Sequence, residues 1–567
     1  MYDVRVSRPR IIARCLTVLA VVVLVACSGA RGTGGGSSAP PSAAEASRFL
    51  TQATFGPTDA SVSLVRSSGY SQWIDEQMVV APSTTHFDDL NARLAALRAT
   101  NPAAVLQPSD VYWSFWKHAA TDQDQLRERM KLALSEIFVI SLTDTNVREL
   151  GTGSYYDMLG ANAFGNFRTL LEQVTLHPMM GVYLTWLGNQ KEDPVTGRNP
   201  DENYAREVMQ LMTIGLVQLN QDGTAKTDNL GRPLPSYTTD DIAGLAKVFT
   251  GYSYYSPNPT NVTFGGRNLP ADATTRSMIP YPTFHSLSAK TFLGVSIPAS
   301  STSNPSGDLK IALDTLFNHP NVGPFISRQL IQRLVTSNPS PAYISRVAGV
   351  FNDNGRGVRG DMSAVVRAIL LDTEARTLPI TASAGKIREP LLRMSSWMRA
   401  FGAVSDTGEW RIGSTSANTS LGQTVLTSPS VFNFFRPGYS PPNTRVGNAG
   451  LVAPELQIVD EVTVAGYLNT MQTTIDLGIG ATTNGLRDVR ANYASEIAVA
   501  NDANALVDRV NLLLMSGQMS STIRARIIEA VNAVAIPTTG SQTAALTNRA
   551  KLAVYMTMAS SEYMVQR

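Results

Sequence analysis

From residue 43 onward the apolar positions recur mostly at three- and four-residue steps, the period of a helix buried along one face. In 125–141, Leu126, Met130, Leu134 and Ile137 form one such stripe, which predicts an amphipathic helix. The same period runs through 43–54, 59–67, 72–79, 166–176, 239–250, 308–318, 321–336, 342–352, 361–371, 389–401, 453–475, 501–515, 519–534 and 541–565. Thr238 precedes 239–250 as an N-cap, with Asp241 at the third position and Gly251 as a stop. Pro390 falls in the first turn of 389–401, and Gly402 follows that segment. Two regions interrupt the period. Residues 252–307 are rich in Pro, Gly, Thr and Ser, and 404–450 carries Phe432-Asn433-Phe434-Phe435-Arg436-Pro437-Gly438-Tyr439. Their aromatics predict ordered excursions rather than disorder. No run suits a long parallel strand. The expected fold class is mainly α, a multi-helix globular body with small β additions and long ordered loops.

The densest polar pattern is 199–215. Asn199 reads as an N-cap, Pro200 as the first helical residue, Glu202 as the capping-box acid and Gly215 as the stop. Asp201 and Glu202 complement the helix dipole, and Glu202 and Arg206 are spaced for an ion pair. That accounts for the pattern structurally. A functional reading places Asn203, Arg206, Glu207 and Gln210 on one face of a cleft, with Tyr204, Val208 and Leu211 toward the core. Asp201, Glu202, Asn203 and Arg206 are then ligand-binding candidates for a phosphate, sulfate or sugar. Alternatively, the carboxylates with His177 suit a hard or borderline cation. Which metal or cofactor, if any, is left open.

Histidines are sparse, five in 567 residues. His177 and His319 precede prolines at helix boundaries, where an imidazole commonly satisfies the backbone. His285 stands five residues before Lys290 in the aromatic excursion; as a base or ligand it needs an orienting acid that the local sequence lacks. Catalytic candidates are therefore His177, Glu207, His285 and Lys290. His86 and His118 carry no pattern. No nucleophile elbow, P-loop, zincin or dinucleotide motif is present, and Asp222 to Asn229 reads as a hairpin turn rather than a calcium loop.

The chain opens with an address. Arg5, Arg8, Arg10 and Arg14 precede an apolar run of eleven, 16–26, too short to span a bilayer. It ends Leu24-Val25-Ala26-Cys27, which resembles the lipobox of bacterial lipoproteins, with Cys27 as the lipidated residue of a signal spanning 1–27. Ser28 after it fits outer-membrane delivery. Residues 28–42 form a Gly/Ser/Pro tether, leaving 43–567 as one large domain. Without residues 1–26, which hold four Arg and one Asp, the formal charge of +2 becomes about −1, so a nucleic-acid partner has no electrostatic support. Cys15 and Cys27 are the chain's two cysteines, so the mature domain has neither disulfide nor thiol chemistry.

Over about 45–567 the chain resembles the bacterial family called domain of unknown function number 1800. The resemblance rests on Arg48 through Phe55-Gly56-Pro57, His177-Pro178-Met179-Met180, Asp201-Glu202-Asn203-Tyr204-Ala205-Arg206-Glu207 and Phe249-Thr250-Gly251-Tyr252. It continues through His285 to Lys290-Thr291-Phe292-Leu293-Gly294, His319-Pro320, and Ser560 to Gln566. It implies an exported protein and a partner from family number 1501, which resembles sulfatases and alkaline phosphatases. Where many members read Glu-Leu-His this chain has Gln210-Leu211-Met212, and His285-Ser286-Leu287-Ser288-Ala289-Lys290 lacks the acid of the family's His-Asp-Pro-Gly-x-Lys. Three classes of function follow, led by a lipid-anchored accessory or binding protein acting with the sulfatase-like partner on an extracellular polymer. The others are a hydrolase, metal-assisted or not, built on the 201–207 helix start with His177 and His285, and a scaffold for envelope assembly.

Overall fold

The computed structural model describes residues 39–378 and 384–567. Cys27, the signal and most of the tether lie outside them. Residues 39–42 lead without regular structure into the first helix, Ala43–Ala53, where Ser42 and Glu45 form a reciprocal capping box. Residues 40–567 make one compact unit, mainly α, with small antiparallel sheets of two or three strands. Among the described residues no helix is long and apolar enough to cross a membrane.

Most helices stand where the apolar period places them. The stretches 59–67 and 72–79 belong to one run, Asp59–Val79, broken at Gly69 (φ 77°). Three further long helices lie outside the expected stretches: His86–Thr100, Pro108–Thr121 and Glu149–Ala161. The last carries Gly151, Gly153 and Gly160, poor helix formers that are used here for close packing. A Cβ on Gly153 would overlap Leu90, and one on Gly160 would overlap the Lys131 side chain.

The excursion 252–307 is ordered and closes on itself. Phe264 stacks on Phe284 with ring centroids 3.7 Å apart, Tyr281 meets Phe264 edge-on, and the Tyr281 hydroxyl donates to the Tyr254 carbonyl. Its hairpin Lys290–Phe292 with Val295–Ile297 lies against the helix Thr239–Val248. There Asp241 Oδ2 caps its own helix by accepting from the Thr238 N–H, while Oδ1 accepts from the Leu293 N–H at 2.6 Å.

Two expectations change. The helix expected at 125–141 ends at Ser135, and it is not amphipathic. Leu126, Met130 and Leu134 are fully buried, but so are Gln125, Glu128, Arg129 and Lys131, so this helix runs through the centre of the molecule. The helix expected from Pro200 begins at Asn203. Asn199 does not cap it; Asp201 Oδ1 accepts from the Asn203 N–H instead, and the helix ends at Gln210, with Gly215 (φ 72°) turning the chain beyond it.

Candidate functional site

The residues singled out by sequence fall in three separate places. His177 caps the helix Pro178–Tyr183: Nδ1 accepts from the Met179 N–H at 3.3 Å, Nε2 lies 3.4 Å from Ser154 Oγ, and the ring meets Tyr155 edge-on. Burial keeps it neutral, its pKa pushed down to about 3.

At the second place the polar residues divide. Arg206 turns outward to Glu202, 3.3 Å away on a half-exposed surface, where the pair adds little stability. Asp201 is exposed and accepts from the Thr185 hydroxyl at 3.0 Å; the Asn203 amide lies 3.4 Å from the same hydroxyl. Glu207 is buried on the core side with Tyr204 and Val208. Its Oε2 has no partner, and burial raises its pKa.

The third place does assemble. His285 is completely buried, with Nδ1 at 2.8 Å from the Thr250 carbonyl and Nε2 at 3.0 Å from Asp308 Oδ2. Lys290 Nζ lies 2.9 Å from the same Asp308 oxygen. The orienting acid absent from the local sequence comes from the helix Pro305–Asn318, and Ser286, where many family members carry Asp, donates to Glu192. Among the described residues no hydrogen bond or ion pair joins His177, Glu207 and His285.

Two constellations that sequence reading missed flank the buried helix Gln125–Ser135. In the first, the His86 and His118 rings lie 4.2 Å apart. One ligand atom each from His86, His118 and Glu128 lie within 4.8 Å of one another, and so do those of Asp122, Asp124 and Glu128. These are donor types for a borderline cation. Positive charge is already built in, however. Lys131 Nζ is 2.6 Å from Glu128, and His118 is held between Asp122 (2.5 Å) and Asp89 (3.1 Å). Burial opposes a charged His118, but those two hydrogen bonds outweigh it and raise its pKa to about 9. Burial, reinforced by Glu128 and Asp122, pushes Asp124 up to about 6. The arrangement is a compensated ion network.

The second constellation is the candidate site. Glu136 caps the C-terminus of Gln125–Ser135, and Glu389 stands at the N-cap of Pro390–Ala400. Their carboxyl groups meet within hydrogen-bonding reach. Arg129, Arg333, Lys386 and Glu455 surround them, all nine-tenths or more buried. Lys386 Nζ is 3.1 Å from Glu455 and donates to the Arg333 carbonyl at 2.8 Å. Arg333 Nη2 donates to the Glu136 carbonyl at 2.7 Å, and Gln423 Nε2 donates to Glu389 Oε2 at 2.9 Å.

Arg333 Nε lies 3.4 Å from Glu136 Oε2 and Lys386 Nζ 3.7 Å from Glu389 Oε1, ion pairs that make no hydrogen bond; two carboxylates are both acceptors, so a bond between them requires a proton on one. Burial, then the Glu389 charge, drives Glu136 well above the ordinary range. Burial would raise Glu389 too, but Lys386, the bond from Glu136, Arg129 and Gln423 hold it below its usual value. The two carboxyl groups are pushed in opposite directions, Glu136 up and Glu389 down, a division that acid–base catalysis uses.

The excursion at 404–450 supplies the cover. Leu142 N–H donates to the Leu426 carbonyl at 2.8 Å and the Ser141 hydroxyl donates to the Ser428 carbonyl at 2.7 Å, pinning the strap. Beneath it is a void of ≈ 10 Å³ beside Glu136, room for about one water. Ser428 and Asn433 line that void, and Asn433 Nδ2 has no hydrogen-bond partner among the described residues. Leu426 (φ 55°) and Asn433 (φ 64°) both hold left-handed backbone in this segment. One signal was legible: Glu136 is the only charge in the apolar stretch 132–142. Its partners, scattered from Arg129 to Glu455, left no local trace.

Fold and site together define a large helical protein built around a buried charged centre with a loop closed over it. The chain belongs to the family described as protein of unknown function (DUF1800), whose family model matches residues 48–565. No curated protein and no solved structure matched it.

Proposed function

We propose that this protein is an exported, lipid-anchored hydrolase of the bacterial envelope, with Glu136 as the general acid and Glu389 as the general base. The observation that carries the reading is a pair of fully buried carboxyl groups whose pKa values are pushed in opposite directions, with a water-sized void on the Glu136 side. With the strap lifted, Glu389 takes a proton from an entering water, the resulting hydroxide adds to the substrate's electrophilic centre, and Glu136, at the wall of the void, gives its proton to the leaving group. Arg129, Arg333 and Lys386 offset negative charge that develops on the substrate. Entry requires the strap at 423–437 to lift. This reading moves the hydrolytic centre away from His177, Glu207 and His285. It is preferred to a glycan-binding accessory role because the excursion aromatics are packed against one another, as Phe264 and Phe284 are.

The test is hydrolysis by the full chain of a panel of nitrophenyl esters and glycosides and of purified envelope polysaccharide. Glu136→Gln, which keeps a donor and the side-chain shape, should abolish turnover while leaving the melting temperature nearly unchanged. Undiminished turnover would remove Glu136 from the chemistry. The lipid anchor, supported by the 16–27 pattern, is tested by palmitate labelling that Cys27→Ala should eliminate. Co-purification from native envelopes with a sulfatase-like protein tests the accessory reading and its partner.

A further inference from the structure

An apolar hollow so far undescribed borders the helix Pro390–Ala400 at Pro390 and Arg393. It is a cavity of ≈ 250 Å³ walled mainly by Leu421, Leu456, Val464, Tyr467, Leu468 and Met564, and it reaches the surface past half-exposed Val464. Arg393 is the charged side chain in its wall. Arg393 is 5% exposed; Nε donates to the Arg388 carbonyl at 3.0 Å, the guanidinium lies 4.2 Å from the Tyr467 ring centre, and Nη1 faces Met564 Sδ. Arg388, the neighbouring buried arginine, covers the Tyr563 ring and donates to the Leu514 carbonyl, and its Nε has no partner. Among the described residues neither arginine forms an ion pair. Arg388 lies outside the cavity wall; Arg393, inside it, is a buried positive charge without a carboxylate, which is costly, and an anion entering the cavity relieves that cost. The remaining wall is aliphatic and asks for a hydrocarbon. An apolar cavity of about 150 Å³ holds benzene, so this one accepts roughly ten heavy atoms.

We propose that this cavity binds a single-chain alkyl carboxylate of medium length, its tail among Leu456, Val464 and Leu468 and its carboxylate at Arg393. The site is separate from the Glu136–Glu389 centre and does not depend on that centre being catalytic. The experiment is photolabelling of the full chain in membranes with a diazirine-bearing octanoate, followed by mass spectrometry of the labelled peptides. Label is expected on peptides covering 456–468 and 559–564, and octanoate should displace it at least tenfold better than octanol. Val464→Trp, a bulky substitution at the half-exposed cavity mouth, should remove the label while the melting temperature stays near the wild type's. Arg393→Met should bring octanoate and octanol to equal potency. Label scattered over the surface, label unchanged in Val464→Trp, or equal displacement by the two competitors in the wild type would each overturn the proposal.

Discussion

Glu136 and Glu389 stand carboxyl to carboxyl at the junction of two helix ends, and only a proton makes them partners. The two are not equivalent in what they support. Glu389 faces Lys386 and Gln423, and Lys386 also faces Glu455. Glu389→Gln therefore leaves buried Lys386 and Arg129 short of negative charge and should cost about 3–5 kcal/mol of stability. Glu136→Gln replaces the carboxyl group whose pKa is raised and gives up its 3.4 Å contact with Arg333, and it should cost less, about 1 kcal/mol. Urea unfolding of both variants checks the order, and equal losses would refute the assignment of the proton to Glu136.

His118 makes stability depend on alkaline pH. Its pKa rises from an ordinary 6.5 to about 9 because the folded state favours the charged ring. Its contribution is complete below about pH 6.5 and disappears as pH climbs through 9, a change of roughly 3 kcal/mol. Denaturation midpoints should fall between pH 6 and 9.5 in the wild type, and His118→Gln should flatten that slope. A slope that persists in the variant assigns it to other groups.

Gly244 marks the tightest contact between a helix and a strand. A Cβ there would overlap the Thr291 carbonyl oxygen, which belongs to backbone and cannot swing aside. Gly244→Ala, ordinarily favourable in a helix, should here destabilise by about 3 kcal/mol or more. A melting temperature equal to or above the wild type's would show that helix and hairpin are not in contact.

His177 acts through its acceptor nitrogen at a helix start. Asn offers an acceptor to the same N–H, so His177→Asn should stay within about 0.5 kcal/mol of the wild type, whereas His177→Ala loses about 1 kcal/mol. Loss of hydrolysis in His177→Asn at unchanged stability would return this residue to the chemistry.

Helix positions followed from the spacing of apolar residues, because burial of one face imposes its period on the chain. Mainly α architecture and the ordered excursions were legible in this way. The pattern fails where a segment is surrounded: Gln125–Ser135 carries an apolar stripe, yet its charges Glu128, Arg129 and Lys131 are buried as the inner charges of two networks. It fails again at Glu149–Ala161, where glycines lower helix propensity yet admit Leu90 and Lys131.

The motif at 201–207 shows the same boundary from the other side. Sequence by itself determined a helix there, and membership of a family, since order and spacing of residues carry both. It could not say that Arg206 points to solvent and Glu207 to the core, because adjacent helical residues diverge by about 100° and packing decides which is covered. Nor could it bring Asp308 to His285, or Glu389, Lys386 and Glu455 to Glu136. Those meetings join residues 23 to 319 positions apart. Only tertiary structure closes such distances, and burial with the charges gathered there moves the pKa values of two ordinary carboxyl groups in opposite directions.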